Sequence, residues 1–155
     1  MNNLPLRPNV CILLFNQEKK LLLGERSRSP GVWQFPQGGV EFDRSIEGNV
    51  LREIEEELGI PADAVEIVGA LKARHQYDFD PVPDYAEGIW RGQDQTFWIV
   101  RFIGKDEQIN VATEHPEFTA WGWFSEPEVR QKAEQKRMSG YDKALREFVE
   151  ILPSL

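Results

Sequence analysis

Cysteine is all but missing from this chain. A lone Cys11 among 155 residues excludes an internal disulfide framework, and its place in the apolar run Val10–Phe15 makes it a small core side chain. That run is also far too short to cross a bilayer, so no membrane partner is expected. Histidine occurs twice, as His75 and His115, with no cysteine or second histidine at ligand spacing. A zinc site is therefore excluded, and both residues are assigned to surface or loop. Positive charge is in deficit: 18 Lys and Arg stand against 26 Asp and Glu, a formal net charge of −8. Such a balance argues against an extended nucleic-acid surface. It leaves open a grip on one phosphorylated end, because bound cations invert local charge. There is no internal repeat, low-complexity tract or interdomain linker. No signal peptide is visible, and a reducing cytoplasm is the simplest location.

What is present suits one domain with a sizeable core, since 41% of residues are hydrophobic and 28% charged. Leu4 to Pro8 is an extended lead-in, because residues before proline avoid the helical region. Val10–Phe15 and Leu21–Glu25 read as a hairpin about the turn Asn16–Lys20, and Trp33–Phe35 as a short strand stopped by Pro36. Further strands are expected over Val65–Arg74, Thr96–Ile103, Ile109–Val111 and Ala120–Phe124, with a long loop over 75–92. Helices are expected over Glu126–Arg137 and Gly140–Leu152, the latter turning Tyr141, Leu145, Phe148, Val149 and Leu152 to one face. Trp121 and Trp123 are expected to pack on alternate faces of their strand.

The remaining stretch organises the rest: GGVEFDRSIEGNVLREIEEELGI, residues 38–60. Gly38 and Gly39 let backbone approach a ligand closely. Ser45 is a candidate N-cap, and Gly59, with Pro61 beyond it, a helix stop. Between them Val50, Leu51, Ile54 and Leu58 form an apolar stripe, while Glu53, Glu56 and Glu57 gather on another face. Like charges at i, i+3 and i+4 cost roughly 0.2–0.5 kcal/mol per pair, so three crowded carboxylates call for a compensating cation. Their hard oxygens suit Mg²⁺ or Mn²⁺. A glutamate-rich face also describes ordinary solvated surface, with Arg52 partly neutralising it, and the helix alone does not choose.

The surrounding spacing does. Gly38, Arg52-Glu53-Ile54, Glu56-Glu57 and Gly59-Ile60 resemble the Nudix box, G-x5-E-x7-R-E-U-x-E-E-x-G-U with U apolar. One position departs, since Arg44 stands where the family has its first glutamate. In the family that residue supports the loop and pairs with the box arginine, so Arg52 must find another partner among Glu41, Asp43 and Glu47. The resemblance implies an α/β/α sandwich with a mixed sheet between helices. It implies metal held by Glu53, Glu56, Glu57 and the Gly38 carbonyl, with Gly39, Arg52 and Gly59 as structural support.

The likeness extends beyond the box. Arg7-Pro-Asn-Val10, Trp33-Gln-Phe-Pro-Gln-Gly-Gly39, Gly92-Gln93, Pro116-Glu117-Phe118 and Trp121-Gly-Trp123 resemble the RNA pyrophosphohydrolase and diadenosine polyphosphate hydrolase subgroup. This likeness implies a metal ligand or base in Glu117, phosphate contacts from Arg7 and Arg26, and substrate contacts from Tyr77 and Gln93. Glu57, Glu53 and Glu117 are all candidates for the base. Two departures concern the substrate. Asp94 and Thr96 stand where the subgroup carries lysines, and Gln135 stands roughly where it carries a base-stacking aromatic, leaving Lys136, Arg137 and Tyr141 as replacements. The reaction expected is Mg²⁺-dependent hydrolysis of a phosphoric anhydride. A dinucleoside polyphosphate such as diadenosine tetraphosphate is favoured slightly over the 5′-triphosphate end of RNA, because an RNA body needs cations along its path. A third reading, a Nudix-fold module that binds a nucleotide without turnover, is opposed by the intact Arg52-Glu53 and Glu56-Glu57 pairs and kept alive by Arg44.

Overall fold

The computed structural model describes residues 3–155. Its centre is a strand β1 (Leu6–Phe15) whose last six residues are all buried. A strand covered on both faces needs apolar side chains at odd and even positions alike. Val10, Ile12 and Leu14 enter one core cluster with Val50, Ile54 and Leu58, while Cys11, Leu13 and Phe15 enter another with Tyr141, Leu145 and Phe148. The unbroken run Val10–Phe15 is thus the mid-layer of a three-layer stack.

The other strands are β2 (Leu21–Arg26), β3 (Trp33–Gln34), β4 (Gln37–Gly39), β5 (Val65–Asp78), β6 (Gly92–Phe102) and β7 (Phe118–Phe124). They form a mixed 7-stranded sheet of order β3-β2-β1-β6-β5, with β4 added to β1 and β7 to β2. The pairing of β1 with β6 is parallel; the rest are antiparallel. Helix α1 (Ile46–Leu58) covers one face, and α2 (Glu126–Lys132) with α3 (Met138–Ile151) covers the other. This is the α/β/α sandwich expected. No helix among the described residues is long and apolar enough to span a membrane.

Several expectations need correction. His75 to Asp78 belong to β5 rather than to a loop, because β6 starts early enough to pair Tyr77 with Gln93 and Asp78 with Gly92. Ile109–Val111 is not a strand. Asn110 instead donates its backbone N–H to the Leu58 carbonyl at 2.8 Å, satisfying one of the carbonyls left over at the end of α1. The first closing helix stops at Lys132, where Ala133 turns extended and Glu134 donates to the Trp33 carbonyl at 2.9 Å. Val149 is exposed, off the buried face of α3. Trp121 and Trp123 share a face, both packed on the α1-side cluster with rings 6.0 Å apart, as side chains two apart in a strand must.

Candidate active site

The box begins as strand, not loop: β4 places Gly38 opposite Val10 and Gly39 opposite Asn9. At both glycines the backbone lies close against the charged end of a side chain, which a Cβ would push aside. A Cβ on Gly38 would lie 2.0 Å from Glu53 Oε1, and one on Gly39 would lie 2.1 Å from an Arg7 guanidinium nitrogen. The chain then enters α1 through Ser45, whose Oγ accepts from the Gly48 N–H at 3.0 Å. It leaves through Gly59 at φ +66°, a left-handed conformation that suits glycine.

Along α1 the carboxylates separate by burial. Glu53 and Glu57 are 7% and 5% exposed, whereas Glu56 points outward. Glu57 Oε1 accepts from the Gln37 N–H at 3.1 Å, and its Oε2 is buried without a partner. Burial pushes the Glu57 carboxyl well above the usual range, helped by the charges of Glu53 and Glu117. Burial also raises Glu53, against the lowering influence of Glu57 and Arg52. Each carboxyl is thus held toward its neutral form chiefly by burial, Glu57 the more strongly, so the two resist ionising side by side.

Arg52 organises this cluster. One guanidinium nitrogen lies 2.8 Å from Glu53 and 3.1 Å from Glu56; the other donates to the Gly39 carbonyl at 3.0 Å and to Asn49 Oδ1 at 2.9 Å. Of the three expected partners Glu41 is the one used, with its Oε2 3.7 Å from Arg52 Nε. Arg44 turns to Glu41 and Asp43.

The donor set fits a hard divalent cation on two observations. A buried carboxylate oxygen lacks any partner, and two carboxylates resist ionising side by side, a conflict that a cation relieves. Among the described residues no three such side chains already share a metal-holding geometry, Glu56 being held by Arg52.

Around this centre the surface is hollow. A cleft of about 500 Å³ is lined by Gln37, Glu53, Glu56, Glu57, Thr113 and Glu117. It shares Glu114, His115 and Glu117 with a neighbouring hollow of about 430 Å³ that holds Arg26 and Arg28. A third cavity, about 510 Å³, is walled by His75, Tyr77, Phe79, Gln95, Lys136 and Arg137. Gln95 Nε2 donates to Gln37 Oε1 at 2.7 Å, so one side-chain contact separates this cavity from the carboxylate cleft.

The remaining sequence candidates fall into place unevenly. Glu117 is exposed just before β7, where its carbonyl accepts from the Ser27 N–H at 2.9 Å. Arg7 stands over the Tyr85 ring, 4.9 Å from its centroid. Tyr77 stacks on His75, 4.9 Å between rings, and its hydroxyl accepts from Gln93 at 2.7 Å. Gln93 is buried and serves that tyrosine. Tyr141 is 2% exposed, and its hydroxyl accepts from the Phe35 N–H at 3.2 Å. It reaches the aromatic cavity only as part of its floor. Asp94 pairs with Arg74, and Gln135 donates to the Arg130 and Ala133 carbonyls.

Sequence reading passed over Gln37, Gln95 and Asn49, all of which touch the site. The available signal was phase with neighbouring apolar positions, Gln95 with Phe97 and Ile99 on one strand and Asn49 with the stripe of α1. Gln95 sits at the head of a strong strand, and Asn49 lies beside Val50 on the buried side of α1.

The NUDIX domain family profile matches residues 5–148 of this chain. A protein of Zymomonas mobilis subsp. mobilis named RNA pyrophosphohydrolase is 37% identical over 151 residues, spanning 96% of this chain and 97% of its own. Another of that name, from Roseobacter denitrificans, is 41% identical over 124 residues, 78% of each chain. Among solved structures, a binary complex of the C. elegans Ap4A hydrolase superposes with a TM-score of 0.69 at 17% identity, over 95% of this chain and 99% of that one. At that identity the likeness is one of fold. With the profile covering most of its length and the box laid out on β4 and α1, the chain belongs to the Nudix family of hydrolases.

Proposed function

We propose that this chain is a Mg²⁺-dependent pyrophosphohydrolase that uses water to trim 5′-triphosphate ends of RNA to monophosphates with release of pyrophosphate or phosphate, Mn²⁺ being able to replace Mg²⁺. The observation that carries this reading is the adjacency, across the Gln95–Gln37 contact, of the carboxylate cleft and a cavity with aromatic and cationic walls. Aromatic faces stack on nucleobases, and guanidinium groups grip phosphate oxygens. A 5′-terminal nucleotide seated beside Tyr77, Phe79 and Arg137 directs its phosphate chain past Gln37 to the glutamates. The names of the relatives support RNA as the polymer.

In this reading Glu53, Glu56, Glu57 and the Gly38 carbonyl hold the metal. The bound cation neutralises phosphate charge and lowers the pKa of a water nearby. Arg7 and Arg26 bind phosphate oxygens. Glu117, exposed at the junction of the two polar hollows, takes the proton of the attacking water, because Glu53 and Glu57 are committed to the metal. Arg52 fixes the helix against the glycine backbone.

A second substrate, a dinucleoside polyphosphate, is favoured by two specific features. The Arg26–Arg28 hollow offers room beyond the glutamates for a second arm. Asp94, paired with Arg74, adds no free cation where an RNA body would run. The test is ion-exchange analysis of products, with triphosphorylated RNA and diadenosine tetraphosphate offered side by side in Mg²⁺ or chelator. Metal-dependent RNA 5′-monophosphate supports the proposal; products from the dinucleotide alone transfer it to the second substrate. No metal-dependent product from either sinks both.

A further inference from the structure

Asn49 is a neutral side chain with no exposure, inside a helix, within one residue of the apolar stripe. A buried amide there is costly unless its donors and acceptors are matched. All four are. Oδ1 accepts from the Glu41 N–H at 2.8 Å and from Arg52 at 2.9 Å, while Nδ2 donates to the Glu41 carbonyl at 3.0 Å and to the Ser45 carbonyl at 2.9 Å. The partners also fix the amide orientation, since reversal sets its NH₂ against two N–H donors.

Those contacts tie three things together: the loop between β4 and α1, the first turn of α1, and the guanidinium that lies against Glu53 and Glu56. Arg44 does none of this. Its side chain is 41% exposed and leans on Glu41 and Asp43, and Glu41 Oε2 lies between the two guanidinium groups, 3.5 Å from Arg44 and 3.7 Å from Arg52. Glu41 is thus contested, and Arg52 Nε has no hydrogen bond. Beside the Gly39 carbonyl at 3.0 Å, the amide is the uncontested side-chain hold on Arg52 Nη2, and it alone also grips Glu41 and Ser45.

We propose that Asn49 is the positioning residue of this metal site, holding Arg52 and the Gly39–Ser45 loop in register with Glu53 and Glu56 where no carboxylate is available at position 44. The inference rests on the metal reading above, and its test separates the two. Outer partners that orient metal ligands typically contribute about 10–100-fold in metal affinity. Asn49→Ala therefore weakens Mn²⁺ binding, read by electron paramagnetic resonance titration, by about tenfold or more. Adding Arg44→Glu removes the competing guanidinium, returns a carboxylate beside the loop, and recovers threefold or more of the lost affinity. In metal-free protein, exchange of the Glu41 amide hydrogen accelerates in Asn49→Ala and slows again in the double variant.

Unchanged Glu41 exchange in a folded Asn49→Ala protein overturns the proposal. So does faster exchange with Mn²⁺ affinity within twofold of wild type, because Asn49 is then a loop brace alone. If the wild-type protein itself binds no Mn²⁺, the metal reading falls and takes the site-positioning claim with it. The exchange result still decides whether Asn49 holds the loop.

Discussion

The partnerless oxygen of Glu57 makes the sharpest prediction. In metal-free protein burial raises the Glu57 carboxyl well above the ordinary glutamate value of about 4.3. The sign follows from linkage. A group that binds its proton more tightly when folded contributes its full stability below its unfolded pKa. That contribution is lost as pH rises through the folded value. Metal-free wild type should therefore weaken steadily from about pH 4.3 upward. Glu57→Gln keeps the shape and replaces the titrating proton with a permanent amide donor toward Glu53. It should match wild type near pH 4 and exceed it at pH 7.5. The magnitude can be taken from the atom relieved: an unsatisfied buried acceptor costs about 1–3 kcal/mol. For a chain of 155 residues that is about 2–12 °C in Tm. Thermal unfolding in chelator across pH 4–8 measures it, and added Mg²⁺ should raise the wild-type Tm far more than that of the variant. A variant less stable than wild type at pH 7.5 in chelator would refute the argument that burial of charge dominates this pair.

Glu56→Gln should lower kcat by about 100-fold or more with Tm within about 2 °C, because the side chain is exposed and its ion pair with Arg52 contributes little to stability. Retained turnover would remove Glu56 from the metal set. Gly38→Ala drives a methyl group to 2.0 Å from Glu53 Oε1. Isothermal titration should show Mn²⁺ affinity reduced by about tenfold or more even if the fold survives. Tyr141→Phe strips the Phe35 N–H of its acceptor and should cost about 1–3 kcal/mol in denaturant unfolding. It should leave kcat/KM within about twofold, since a side chain 2% exposed has little surface to offer a substrate. A large rise in KM would restore Tyr141 as a binding residue.

The sequence by itself determined the elements whose causes are local. The cap at Ser45, the stop at Gly59, the apolar stripe of α1 and the strand over Val10–Phe15 all follow from residue chemistry at short range, and each stands where the pattern put it. The box glutamates were legible for the same reason: their spacing is a property of one helix. Tertiary structure decided whatever depends on a partner distant in the chain. Residues 75–78 became strand only because β6 lay ready to pair with them, and Ile109–Val111 failed to become one because Asn110 was needed at the end of α1. It decided, too, that Glu57 is buried with a bare oxygen while Glu56, one residue away, faces solvent, for one helical step of about 100° turns a carboxylate from core to cleft. Asn49 carries no sign in the sequence that it stands in for a missing carboxylate. That role exists only because the fold brings Glu41, Ser45 and Arg52 within 3.0 Å of a single amide.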